Sequence, residues 1–314
     1  MIRKTEMNYI IELLRCAISN DRPCSPPEGI DWEQIFIFAK KHKILPTLYF
    51  GIQKLPAPAL SLITHLNQYQ LAYKMTLVQD ANRTAELKKL KKSFENNKID
   101  YIFLKGSVTK YLYPDTSMRV MNDIDIFYRK AGHKLIQEIF RQNNYTLIKK
   151  EPKELVFTNI PLKIKVEMQT QLVDEGYEIW FKYLENIWDR CISSQNRHEY
   201  KMTDEDFYIY HIIHMAKHFK NGGIGLTHVL DIWIMITSYS DLNQTYIKTE
   251  LTKLKLNTFE QKLRALVLMW FEEISPDRND ERTLELLGNY IFASGAFGIK
   301  PQQEINKIVA GNDN

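Results

Sequence analysis

The stretch Tyr101-Ile-Phe-Leu-Lys-Gly-Ser-Val-Thr-Lys-Tyr-Leu-Tyr-Pro-Asp-Thr-Ser-Met-Arg-Val-Met-Asn-Asp-Ile-Asp-Ile-Phe-Tyr128 decides how the remainder of the chain is read. Its first four residues form an apolar run that predicts a short strand, broken by Lys105-Gly106-Ser107. A second strand is predicted over Asn122–Tyr128, where the character alternates. Strand side chains alternate between faces, so Asp123 and Asp125 share one face while Ile124, Ile126 and Tyr128 share the other. Two neighbouring carboxylates repel each other, and a bound divalent cation relieves the repulsion. A solvated strand edge would tolerate the same pair. Gly106 and Ser107 favour the first reading. Glycine after a strand lets backbone approach a ligand, and amides opening the next helix favour phosphate.

A third acid lies downstream. Leu162-Lys-Ile-Lys-Val-Glu-Met-Gln169 alternates and predicts another strand, with Glu167 on the face of Lys163, Lys165 and Gln169 and opposite Val166 and Met168. Two such strands side by side can hold two metal ions roughly 3.5–4 Å apart, a geometry suited to in-line displacement at phosphorus.

The combination of an apolar residue before Gly-Ser, an Asp-x-Asp strand and one later acid resembles the DNA polymerase β-type nucleotidyltransferase superfamily. Leu104-Lys105-Gly106, then Arg119, then Asp123-Ile124-Asp125 is similar to a poorly characterised bacterial branch of nucleotidyltransferase family proteins. That likeness extends to a later helix with spaced histidines followed by Asp231. It implies a magnesium-dependent transferase that moves an NMP from an NTP, ATP among them, to a hydroxyl-bearing acceptor (small molecule, protein or RNA) and releases pyrophosphate. Its Mg2+ ions (two, with Mn2+ as the alternative) would be held by Asp123, Asp125 and Glu167, the catalytic set. Lys105, Gly106, Ser107 and Arg119 would bind the nucleotide. His214, His218 and Asp231 would line the cleft. Relatives tend to carry aspartate and then histidine where this chain has Glu167 and Gln169. This departure motivates the alternative of a catalytically inactive nucleotide-binding regulatory or toxin–antitoxin partner protein.

The composition agrees with a globular enzyme. The chain has 314 residues, 44% hydrophobic and 25% charged, with a net charge of +4. That charge suits an anionic substrate without requiring nucleic acid. Cys16, Cys24 and Cys191 lack metal-ligand spacing, and their odd number argues against a disulfide framework. The polar start Met1-Ile-Arg-Lys-Thr-Glu6 does not read as a signal peptide, and no apolar run reaches the roughly 20 residues of a spanning helix. A cytoplasmic protein without a membrane partner is expected.

The expected architecture is α+β: a small mixed β-sheet nucleotidyltransferase core flanked by N-terminal and C-terminal helical regions, with boundaries at 1–75, 76–172 and 173–314. Helices are predicted over Asn8–Ser19 and Trp32–Lys41, from Pro46 to Phe50, and in a long run ending near Lys98. In that run Leu87, Leu90 and Phe94 make an apolar stripe. Lys88, Lys89, Lys91 and Lys92 form a solvated face, with RNA binding as the sharper alternative. A helix over Ala131–Asn143 should turn Leu135, Ile136, Ile139 and Phe140 to the sheet, followed by strands at Tyr145–Lys149 and Glu154–Thr158. Helices resume near residue 173. Thr203-Asp-Glu-Asp206 resembles a capping box and opens a helix carrying His211, His214 and His218 on one face. Positions seven apart lie about 10 Å apart along a helix, which argues against one zinc ion holding all three. They would line the cleft or join a hydrogen-bond network with Asp231.

Overall fold

A computed structural model describes residues 2–129, 131–194 and 196–295; the last part of the predicted C-terminal region, 296–314, lies outside the described residues. In chain order the helices and strands are α1 (Lys4–Ser19), α2 (Trp32–Lys41), α3 (Leu45–Ile52), α4 (Ala57–Leu60), α5 (Leu66–Asn96), β1 (Asp100–Phe103), α6 (Gly106–Thr109), β2 (Asp123–Arg129), α7 (His133–Gln142), β3 (Thr146–Glu151), β4 (Glu154–Asn159), β5 (Ile164–Gln169), α8 (Glu178–Glu185), β6 (Ile192–Ser193), β7 (Glu199–Lys201), α9 (Asp204–Asn221), α10 (Leu226–Ser238), α11 (Gln244–Lys253), α12 (Asn257–Phe271) and α13 (Glu281–Ser294).

The chain divides into two compact units that interleave along the sequence. A helical unit comprises Met1–Thr76, Leu112–Val120 and the chain from His211 onward; a sheet unit comprises Leu77–Tyr111 and Met121–Tyr210. The chain therefore leaves the sheet unit between the Gly-Ser turn and the Asp-x-Asp strand, and returns at Met121.

The sheet unit holds one seven-stranded mixed sheet in the order β3-β4-β5-β2-β1-β7-β6. Strand β2 pairs antiparallel with β1 and parallel with β5. Its inner face works as the alternation predicts. Ile124, Ile126 and Tyr128 pack in a buried cluster with Val166 and Met168 of β5, Leu155 and Phe157 of β4, Leu87, Leu90 and Phe94 of α5, and Ile136, Ile139 and Phe140 of α7. Phe140 stacks on Phe157 with ring centroids 4.0 Å apart. Leu135 departs from expectation: it lies at the margin of the α7 stripe and is exposed. Burying this apolar set, at about 25 cal/mol per Å2, fixes which face of β2 turns outward, since a one-residue slip would expose all of it.

Helix α5 ends where its backbone can turn. Lys98 adopts φ 55 and the Ile99 amide donates to the Phe94 carbonyl at 3.0 Å, a left-handed stop that feeds β1 directly. Strand β5 starts at Ile164 rather than Leu162, because Lys163 takes φ 54 in the preceding turn. Thr203 behaves as predicted: its hydroxyl accepts from the Asp206 amide at 3.1 Å at the start of α9. Strand β7 was not foreseen. Only three residues long, it runs parallel to β1 with Tyr101 opposite Glu199.

In the helical unit, α1 closes at Asn20 with φ 63, and Asp31 caps α2 by accepting from the Gln34 amide at 3.0 Å. Helices α1 and α3 meet at Gly51, where a Cβ would stand 2.3 Å from the Leu13 carbonyl oxygen. That neighbour is backbone and cannot rotate away. Gly51→Ala should therefore destabilise the protein by about 2–3 kcal/mol, read as a lowered urea midpoint, the cost of forcing packed elements apart. An unchanged midpoint would contradict this close crossing.

Candidate active site

Parallel pairing of β2 with β5 sets Asp125 opposite Glu167 and Asp123 opposite Lys165. With the inner face committed to the core, these side chains and Gln169 share the outer face. Asp123 and Asp125 thus stand beside Glu167 by register, and Lys165 and Gln169 stand with them.

Asp125 is buried. Its Oδ1 accepts from Lys105 Nζ at 2.7 Å and from Gln169 Nε2 at 3.1 Å. Burial, reinforced by the neighbouring charges of Asp123 and Glu167 against the pull of Lys105, raises the Asp125 carboxyl to about 6. Lys105 is largely buried too. Burial alone would lower its ammonium, but Asp125 raises it above the ordinary lysine range. Burial likewise pushes Glu167 up. Lys165, 2.5 Å from its Oε1, together with Lys105 brings it below the usual carboxylate range. Lys165 also lies 3.8 Å from Asp123 Oδ2.

The turn leading into α6 is strained at one residue. Lys105 adopts φ 50 and ψ −131, a region that side-chain-bearing residues rarely occupy. The Leu104 amide bonds the Asp125 carbonyl at 3.1 Å, tying this turn to β2. Nearby in the chain, the Ser107 hydroxyl is buried without a hydrogen-bond partner, an orphaned donor of the kind a ligand oxygen satisfies.

Four contributors to this face escaped the sequence reading. Lys165 and Gln169 share the predicted strand of Glu167, and its alternation alone assigns them no task. Tyr210, at the sheet-unit end of α9, is buried and interacts electrostatically with Lys105, Asp125 and Glu167. Arg83 of α5 donates to the Met121 carbonyl at 2.5 Å, fixing the entry to β2, and feels the charge of Asp123. Neither Tyr210 nor Arg83 lies in a run that alternation would single out.

As these side chains stand, no group of three or more His, Cys, Asp or Glu among the described residues is arranged to hold a metal ion. Ammonium and amide groups occupy carboxylate oxygens of Asp125 and Glu167. The donor types nonetheless fit Mg2+ or Mn2+, which take carboxylate oxygens. Three acids share one face, and positive groups already lie against them.

A family model described as "Uncharacterised nucleotidyltransferase" matches residues 28–272. The chain belongs to this nucleotidyltransferase family. No curated protein and no solved structure matches it. The enzyme is therefore a nucleotidyltransferase with a mixed α/β fold, in which the matched span contains every motif residue described above.

In the helical unit of this nucleotidyltransferase, Arg119 and Asp231 find each other. Arg119 Nε and Nη2 donate to the two Asp231 oxygens at 2.7 and 2.8 Å, and the Tyr113 hydroxyl donates to Asp231 Oδ1 at 2.9 Å. Burial raises Asp231, but Arg119 outweighs it and holds the carboxyl below its ordinary value. Burial raises the Tyr113 phenol. His214 and His218 lie 4.3 Å apart by ring centroid, and a fourth histidine not singled out from sequence, His228, lies 6.4 and 5.9 Å from them. Burial and the charges of His218 and Arg119 push His228 down to about 3. His211 is buried and interacts electrostatically with Asp231.

The lysine-rich face of α5 is partly neutralised. Lys89 pairs with Glu86, while Lys91 pairs with Glu199 at 2.7 Å and lies over the Phe103 ring. A cavity of about 890 Å3 in the helical unit, lined by Arg15, Trp270, Glu273 and Glu285 among others, contains no motif residue. No helix among the described residues is long and apolar enough to cross a membrane.

Proposed function

We propose that the enzyme moves an NMP from an NTP to a hydroxyl-bearing acceptor, with Mg2+ held by Asp123, Asp125 and Glu167. The observation that carries this reading is the β2–β5 register, which sets Glu167 beside Asp125 on the face shared by Asp123. Bound divalent cations would draw charge from the phosphoryl oxygens and favour the ionised acceptor hydroxyl. Glu167 receives the proton that this hydroxyl loses. The acceptor oxygen forms a bond to the α-phosphorus as the bond from that phosphorus to the β-phosphate bridging oxygen breaks, and pyrophosphate leaves.

The Gly106 amide and the Ser107 hydroxyl hold the outer phosphates. Lys105 keeps Asp125 ionised against burial and balances the charge gathered on the leaving group. Arg119 is committed to Asp231, which also accepts from Tyr113, and this suits it to anchoring residues 112–120 between the two motifs. The acceptor is a small molecule, a protein or an RNA.

The test is incubation of the protein with α-labelled NTPs, Mg2+ and cell lysate. Expected is transfer of label to one class of acceptor with stoichiometric pyrophosphate, both lost on chelation with EDTA. Label that stays with NTP under all four bases, with no pyrophosphate formed, would overturn the reading.

A further inference from the structure

The two lysines at the acidic face differ in a way that assigns them different work. Lys105 sits in a strained turn, its side chain 23% exposed, and bonds the buried Asp125 at 2.7 Å. Lys165 lies on a regular strand, its side chain 40% exposed, and reaches Glu167 at 2.5 Å and Asp123 at 3.8 Å. Lys105 is fixed by its surroundings; Lys165 can swing into solvent by rotating exposed bonds. Cross-strand register alone brings Lys165 opposite Asp123, and spacing by two puts it on the face of Glu167.

The geometry points to Lys165 as a tethered cation that occupies the Asp123–Glu167 side of the site and must be displaced when a divalent cation binds there. Resting on the metal-dependent reading above, this adds a built-in competitor to it. Three carboxylates beside two ammonium groups leave one negative charge when empty, so the acids are largely neutralised without metal. An ion approaching Asp123 and Glu167 meets the Lys165 charge at close range, and in this partly buried setting that repulsion is only weakly screened. Displacement has a second consequence. The freed ammonium remains attached to the strand beside the acids, available to an incoming triphosphate. Metal and nucleotide binding are thereby coupled through one side chain, and the coupling is reciprocal.

The experiment is Mn2+ titration of the full chain by calorimetry without nucleotide, comparing the natural protein with Lys165→Met, Lys165→Gln, Lys165→Arg and Asp123→Asn. Removing the charge should tighten Mn2+ binding about tenfold in the first two variants, while Lys165→Arg keeps the natural affinity. The glutamine variant retains length and polarity should methionine disturb folding. Thermal unfolding without metal should fall in the charge-removing variants and recover on adding Mn2+, because the carboxylates then have their cation back. A merely structural lysine would not tighten metal binding when removed. Unchanged or weaker Mn2+ affinity in both neutral variants, with binding still abolished by Asp123→Asn, would overturn the role of Lys165 and leave the metal site standing. No Mn2+ uptake sensitive to Asp123 in any variant would overturn the metal-dependent reading itself, and this inference with it.

Discussion

Asp123→Asn is expected to lower nucleotidyl transfer on the order of 10³-fold, at the upper end of what one preorganised electrostatic contact contributes to a transition state, while the unfolding midpoint barely moves. The asymmetry follows from where the residue sits. The Asp123 side chain is about a third exposed and its ion-pair partner, Lys165, is itself exposed, so the pair adds little to stability. Asparagine keeps the size and one carbonyl oxygen but removes the charge that holds a divalent cation. Asp125 would be a poorer choice for this test. It is buried against Lys105, and its replacement would strand a buried ammonium and confound folding with catalysis. Initial rates with saturating Mg2+ and NTP, beside a urea titration, check both halves. Activity within a few-fold of the natural enzyme would remove Asp123 from the chemistry.

Asp231→Ala has the opposite profile. It should cost about 3–5 kcal/mol of stability, the usual consequence of breaking one side of a buried ion pair. Arg119 would keep its charge with no carboxylate to receive its two bonds, and Tyr113 would lose its acceptor. Removing both charges together, Arg119→Met with Asp231→Leu, should recover much of the loss, because the penalty lies in the orphaned charge. The pair also sets an acid dependence. The Asp231 carboxyl is lower in the folded protein than in the unfolded chain, so its contribution is complete above the unfolded value near 4 and is lost as pH falls through the folded value. Urea midpoints across pH 2–7 would show the natural protein losing stability in acid and the double variant losing less. A single variant as stable as the natural protein would contradict the anchoring role.

What the sequence made legible follows the physics of short range. Period-two alternation in Asn122–Tyr128 identified both the strand and the face of each residue, because burial of Ile124, Ile126 and Tyr128 leaves the aspartates only one side to occupy. The same reasoning worked for Val166 and Met168 against Glu167. It failed where long-range pairing decides. Three residues of β7 bear no periodic signal, and their place beside β1 depends on partners about a hundred positions away. The sequence likewise does not show that the Arg119 guanidinium meets Asp231, 112 residues on. Nothing local announces that pairing. The neighbours of Lys165 and Gln169 across the sheet depend on the register of β5 against β2.

The helical additions illustrate the same limit. Apolar spacing located α1, α2 and α3 within a few residues, whereas the inclusion of Leu112–Val120 in the helical unit has no sequence signature. Thr47, whose hydroxyl donates to the Met118 carbonyl at 2.7 Å, helps hold that segment. A buried hydroxyl–carbonyl bond of this kind adds about 1 kcal/mol, small beside the Arg119–Asp231 pair.

The most direct trial is anomalous diffraction at the manganese edge from crystals soaked with Mn2+ and a non-hydrolysable NTP analogue. The account predicts manganese within coordination distance of Asp123 and Asp125, with the triphosphate at Gly106 and Ser107 and Lys165 swung away from Glu167. Manganese and nucleotide bound elsewhere, with Lys165 still seated between Asp123 and Glu167, would contradict it.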